Sequence, residues 1–224
     1  MCCFMRSLPL AWCVFFLNAC CISPNLALAQ QPQTACPDDI KYLKNECYGA
    51  LQLKNGRYDG YFVNNEFSGH GHLIFENGDI YDGEFSHHEI TGNGELSYID
   101  GSKYVGEFKN GNMNGSGMFA DVNGIIFEGK FVDGKKSGFG KLTLPDGGFY
   151  AGQFENDVFN GKGYLELAKG FKYEGQFKDG LYNGLGILIY PNGSQSIGTF
   201  EAGKRRGWGT FIFSNGKKIE SNVH

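Results

Sequence analysis

Large apolar residues return along this chain with a period of 23, and inside each period they alternate with polar or small ones. Tyr58-Asp59-Gly60-Tyr61-Phe62 turns every second position inward, which predicts a β-strand. Asn64-Asn65 follows, and the same place holds Asn110-Gly111, Asp133-Gly134 and Asp179-Gly180 in later copies. Such pairs tolerate positive φ and close hairpins. A second alternating run puts Gly69, Gly71, Leu73 and Phe75 on one face, and Asn77-Gly78 ends it before Tyr81 opens the next copy. Seven copies start at Tyr58, Tyr81, Tyr104, Phe127, Tyr150, Tyr173 and Ser196. Each is predicted to be one antiparallel hairpin.

Counting Tyr58 as position one, position five is Phe in every copy, from Phe62 to Phe200, and position sixteen is always Leu or Phe, from Leu73 to Phe211. Four glycines recur at fixed offsets, at Gly60, Gly69, Gly71 and Gly78 in the first copy and at Gly198, Gly207, Gly209 and Gly216 in the last. They account for 28 of the 35 glycines, so glycine here is architectural. A lone hairpin cannot bury a Tyr, a Phe and a Leu. Stacked hairpins can, with each ring sliding over a glycine of a neighbouring repeat, where the missing side chain leaves room. The expected fold is all-β, an elongated single-layer array of antiparallel hairpins forming a solenoid or half-pipe. At about 4.8 Å per strand it would be roughly 65 to 70 Å long. Its ends need protection. Residues 36–57 read as a degenerate eighth copy that caps the start, with Gly49 at the place of Gly71, Leu51 at that of Leu73, and Cys36 and Cys47 where Tyr and Gly would stand. Ile219-Glu220 would start one more strand in the tail, residues 219–224.

These residues carry a family resemblance. Tyr81-Asp82-Gly83-Glu84-Phe85 with Gly92-Asn93-Gly94-Glu95-Leu96, and Tyr173-Glu174-Gly175-Gln176-Phe177-Lys178-Asp179-Gly180 with Asn183-Gly184-Leu185-Gly186, closely resemble the MORN (membrane occupation and recognition nexus) repeat over residues 58–218. The resemblance implies hairpins in an extended sheet, and binding, scaffolding or spacing in place of catalysis. MORN proteins are best known inside cells, often at phospholipid or cytoskeletal membranes. The last copy departs from the pattern, with Ser196 in place of Tyr and Arg205-Arg206 filling the turn.

The first 29 residues lie outside the repeat. Arg6 precedes an apolar run from Leu8 to Ile22, Pro24 breaks it, and Ala27-Leu28-Ala29 supplies a small-x-small cleavage pattern, the layout of a secretory signal peptide. The run is short for a membrane anchor, which needs roughly 20 residues. Leu17-Asn18-Ala19-Cys20 also resembles a bacterial lipobox that would put a lipid on Cys20, with Asn18 out of pattern. The expected location is therefore exported: periplasmic, cell-envelope or secreted. Cleavage removes five of the seven cysteines and leaves residues 30–57 as linker and cap with Cys36 and Cys47. In an oxidising compartment a lone pair most simply forms a disulfide, contributing roughly 2 to 3 kcal/mol for so short a loop. A metal site or two free thiols are the alternatives. The formal net charge of −4 argues against a nucleic-acid partner.

Three sets of residues are candidates for function. Phe67, Ile90, Met113, Phe159 and Tyr182 at position ten, with Phe139, Leu185 and Trp208 at position thirteen, would line up along the array as a partner surface, or else pack beneath the turns. Lys204, Arg205, Arg206, Lys217 and Lys218 could rest on an anionic membrane surface, or form a solvated edge that discourages end-to-end association. His70 and His72 share a strand face and could begin a zinc or copper site with His87 and His88, against the reading of exposed positions filled by chance. No cofactor is expected. Gly-x-Gly falls inside a strand, so it is no dinucleotide fingerprint, and a single-layer sheet offers few enclosed pockets. The function expected is that of a non-enzymatic, protein-binding or scaffolding rod. The alternative is a lipid or glycan surface binder using the basic end or the outward aromatics.

Overall fold

The computed structural model describes Ala35, Cys36 and residues 46–223; the expected signal peptide, residues 1–29, lies outside them. Among the described residues, sixteen antiparallel strands, from β1 (Cys47–Leu53) to β16 (Lys218–Val223), form one open sheet in which spatial order equals chain order. No described segment is helical. The all-β hairpin array expected from the alternation is therefore what the chain forms. In the first full repeat β2 (Gly56–Val63) pairs with β3 (Glu66–Phe75), and β3 pairs with β4 (Ile80–Ser86) of the next. Inside that first hairpin Asn64 and Asn65 have φ of 50° and 68°, as a two-residue I′ turn requires.

Register explains the glycines. Gly60 faces Gly71, Gly71 faces Gly83, and the row continues through one glycine per strand to Gly209 on β15 (Lys204–Ile212), ending at Ser221 on β16. Over each pair within the first six hairpins lies that hairpin's own position-one ring. A Cβ on Gly71 would stand 2.5 Å from Cε2 of Tyr58, and one on Gly94 would stand 2.5 Å from Cε2 of Tyr81. The sockets therefore belong to the same repeat, not to the neighbouring one. Position one lies two residues before position three on the same strand, and the Tyr58 ring runs along it over Gly60 and its hairpin partner Gly71.

Coupling between repeats comes from position five. Tyr104 meets Phe108 of its own repeat edge-to-face at 5.0 Å and Phe131 of the next at 5.0 Å. Tyr150 does the same with Phe154 and Phe177. Such pairs add about 0.5–1.5 kcal/mol beyond area burial. The position-one tyrosines are fully buried, so each hydroxyl must find a partner. It donates to the carbonyl three residues on, Tyr58 to Tyr61 at 2.8 Å and Tyr150 to Gln153 at 2.9 Å.

Both ends replace the ring. At the start, the Cys36–Cys47 disulfide lies against Gly49, with Cys36 Sγ 3.0 Å from where its Cβ would be. Cys47 pairs with Phe62 as Gly69 pairs with Phe85. Near the far end Ser196 leaves the socket empty, and the Arg205 guanidinium lies over Gly209 instead. From there it donates to Ser221 Oγ at 2.6 Å. Ile219 and Glu220 lie in β16, the expected extra strand.

Candidate functional site

One face of the sheet is filled by the tyrosine row; the other is open, and its shape comes from a bulge. Between Gly60–Gly71 and Phe62–Phe67, a single residue of β2 opposes three of β3, and Gly69 within that stretch has φ 63°. The equivalent glycines Gly138, Gly184 and Gly207 have φ of 67°, 67° and 65°. Position thirteen follows this glycine and faces the open side, where Phe139, Leu185 and Trp208 are 68%, 70% and 72% exposed.

Position ten behaves oppositely. Phe67 is buried and stacked on Tyr58 at 3.9 Å, while Phe159 and Tyr182 are half-buried and stacked on Tyr150 and Tyr173 at 3.8 and 3.9 Å. Ile90 and Met113 pack against the same core, and Lys136 sets its ammonium over Phe127. Phe67, Phe159 and Tyr182 are thus lids on the tyrosine row, a correction to the expectation that they join Phe139, Leu185 and Trp208 in one outward stripe. Parity was the signal: position ten differs by an even number from the inward Gly71 and Leu73, and position thirteen by an odd one. The bulge adds two residues, so parity survives it.

Below Phe139 and Leu185 a groove of about 840 Å³ crosses the strands. The backbone of Gly140, Gly152, Gly163 and Gly175 forms its floor, and Ala151, Tyr164 and Glu174 stand along the far wall. Tyr164 was not singled out from the sequence. Its hydroxyl donates to Glu166 at 2.7 Å, and Lys172 pairs with the same carboxylate at 3.0 Å. The tyrosine's hydrogen bond, with help from Lys172, lowers the Glu166 pKa.

The basic end divides. Lys204, Arg206, Lys217 and Lys218 are exposed, whereas Arg205 is committed to the empty tyrosine socket. It therefore leaves the proposed lipid-contact set for a physical reason: its guanidinium substitutes for a missing ring. Toward the start of the sheet, His70 Nε2 and His72 Nδ1 lie 3.1 and 3.3 Å from the two carboxylate oxygens of Asp82. His88 instead accepts the Phe67 N–H and packs on that ring, and His87 stands in the turn at φ 51°. The four histidines do not converge. Among the described residues no cluster of three or more His, Cys, Asp or Glu has a metal-holding arrangement, and no helix is long and apolar enough to cross a membrane.

A sheet built of repeated 23-residue hairpins, with inward rings on paired glycines, defines a repeat protein. The chain belongs to the MORN repeat family: the family profile matches residues 58–80, 81–103, 104–125, 127–149, 150–171, 173–195 and 197–218. MORN repeats are associated with binding to proteins or membranes. A search of curated proteins found no match. Among solved structures, the chain is similar to the TCP domain of SAS-4 (dCPAP) of Drosophila melanogaster in complex with a proline-rich motif of Ana2 (dSTIL). Identity there is 13% and the TM-score 0.45, over 88% of this chain and 97% of that one. A CPAP G-box domain matches at 13% identity and TM-score 0.43, over 79% of this chain and 99% of that one.

Proposed function

We propose that this chain is a non-enzymatic MORN-repeat module that binds a protein partner along the open face of its last four repeats, at Phe139, Leu185 and Trp208. The observation that carries this reading is the combination of offset and exposure. Three large apolar residues occupy one repeat position and are more than two-thirds exposed, and two of them, Phe139 and Leu185, border a bare backbone groove. The inward positions, by contrast, hold Tyr, Phe and Leu almost without change. Large exposed apolar groups recurring at one offset mark an interaction site. The polar residues of the groove, Lys162, Tyr164, Glu174 and Gln176, include no nucleophile–base pair, which favours binding over catalysis. The amino-terminal layout supports export, and with it a partner at the envelope or outside the cell.

The test is a photo-crosslinking amino acid placed at residue 185 in cells that make the protein, with a second placed at residue 142 on the tyrosine face. Discrete protein adducts at 185 and none at 142 are expected. They should vanish in Phe139→Ser/Trp208→Ser and persist in Lys204→Glu/Arg206→Glu/Lys217→Glu. Adducts to lipid alone, lost on the charge reversals, would move the function to the basic end and a membrane surface.

A further inference from the structure

The two side-chain rows that flank the glycine row on the open face change character along the sheet. In the rows over β2 to β7 (Asn112–Ala120) stand Asp59, Asp82, Glu84, Glu95 and Glu107, and no Lys or Arg. Arg57 and Lys103, one row further out, pair with Asp59 and Glu95. Beyond β7 the same rows carry Lys130, Lys141 and Lys162 with Glu128 and Glu174, and most of the rest is apolar: Phe139, Ala151, Leu185, Ile187, Ile197 and Trp208. One continuous strip is acidic in its first part and, in its second, mixes apolar residues with three lysines and two glutamates.

Resting on the protein-binding reading above, we infer that the occupant of this strip is an unfolded partner segment running across the strands, basic over β2–β7 and a polyproline-II stretch over β9 (Lys135–Thr143) to β15. Charge argues for the first half: five carboxylates stand in these rows without a Lys or Arg, Asp82 between His70 and His72, and Glu84 and Glu107 accepting the Asn93 and Ser116 backbone N–H groups, and their negative charge attracts a basic tract and repels an acidic one. Spacing argues for the second. Equivalent positions recur every two strands, about 9.6 Å, and a polyproline-II chain presents the same side every three residues, about 9.3 Å. An extended β chain repeats at about 6.8 Å and drifts out of phase. Seven strands from β9 to β15 span about 29 Å, or about nine polyproline-II residues. Such a chain leaves its carbonyls free, and Lys162 and Gln176 stand at the groove as donors. An anionic bilayer fits poorly, because the same strip would set carboxylates against it.

The probe is a fluorescein-labelled peptide of three Pro-Pro-Leu triplets followed by three Lys-Gly pairs, titrated into the full chain and followed by anisotropy. Saturable binding is expected, weakened about tenfold when Glu replaces the lysines and about tenfold when Gly replaces the prolines, which removes the preorganised conformation. Asp82→Lys/Glu95→Lys should erase most of the charge preference, so that the Lys-tailed and Glu-tailed peptides bind almost equally. Leu185→Ser/Trp208→Ser should abolish binding of every peptide. Equal binding of the three peptides, or a charge preference unmoved by the Asp82 and Glu95 reversals, overturns the inference. So does binding to phosphatidylglycerol vesicles with no peptide binding at all. If the peptides fail while protein adducts form at residue 185, the protein-binding reading stands and only the identity of the occupant falls.

Discussion

At the scale of single residues, glycine is required here for what lies on top of it. In the first six repeats the position-three and position-fourteen glycines have no room for a Cβ, because the position-one ring rests on them. Gly94→Ala should therefore force Tyr81 off its seat and lower stability by about 1–3 kcal/mol, read from urea unfolding, as overpacking does. The rings themselves make the fold sensitive to alkali. Burial pushes the Tyr104, Tyr150 and Tyr173 phenols up to about 12 and raises those of Tyr58 and Tyr81 as well. An unfolded tyrosine loses its proton near pH 10, so above that pH the unfolded chain gives up protons that the folded chain retains. The stability tied to these rings should be intact below about pH 10 and fall between there and about 12. Urea midpoints measured from pH 8 upward, with phenolate absorbance, check this; a midpoint still level at pH 11 would contradict it. The inward identity of Tyr, Phe and Leu was legible from the sequence. Which glycine each ring covers was not, since it depends on the cross-strand register of positions three and fourteen.

At the scale of elements, each repeat is a hairpin with one tight turn and one bulge. Turn chemistry was open to reading because Asn-Gly and Asp-Gly pairs have few other uses. The bulge was hidden: Gly69 and its equivalents look like further members of an alternating run, and only pairing shows that three residues oppose one. Position thirteen was grouped with position ten although parity along the run, which the bulge leaves intact, puts the two on opposite faces. The basic cluster met the same limit, because Arg205 looks like its neighbours until Ser196 is seen to have vacated a socket in its reach. The first strand depends on the disulfide instead of a ring. Replacing Cys36 and Cys47 by Ser should cost about 2–3 kcal/mol, and should do so locally. Amide exchange should speed up across β1 and β2 and stay unchanged from β8 (Ile126–Val132) to β15, as expected where each repeat contacts only its neighbours. Uniform loss of protection would show instead that the array unfolds as one unit.

At the scale of the whole molecule, period and frame carried the architecture: seven copies without an insertion permit little other than one repeated unit paired in series. The candidate site was less visible, because function occupies the positions that vary and variation has no period to betray it. The drift from Asp82 and Glu95 to Tyr164, Ile187 and Trp208 becomes a single strip only once the rows are aligned across the sheet. Serial strand order has a kinetic meaning too. Sheet proteins commonly fold slowly because strands must wait for partners far along the chain. Here each strand's partner is the segment just before it, so the loops to be closed are short and the search is local. A chain arriving one end first could add each hairpin to the edge already formed, and would present that edge to the strand arriving next.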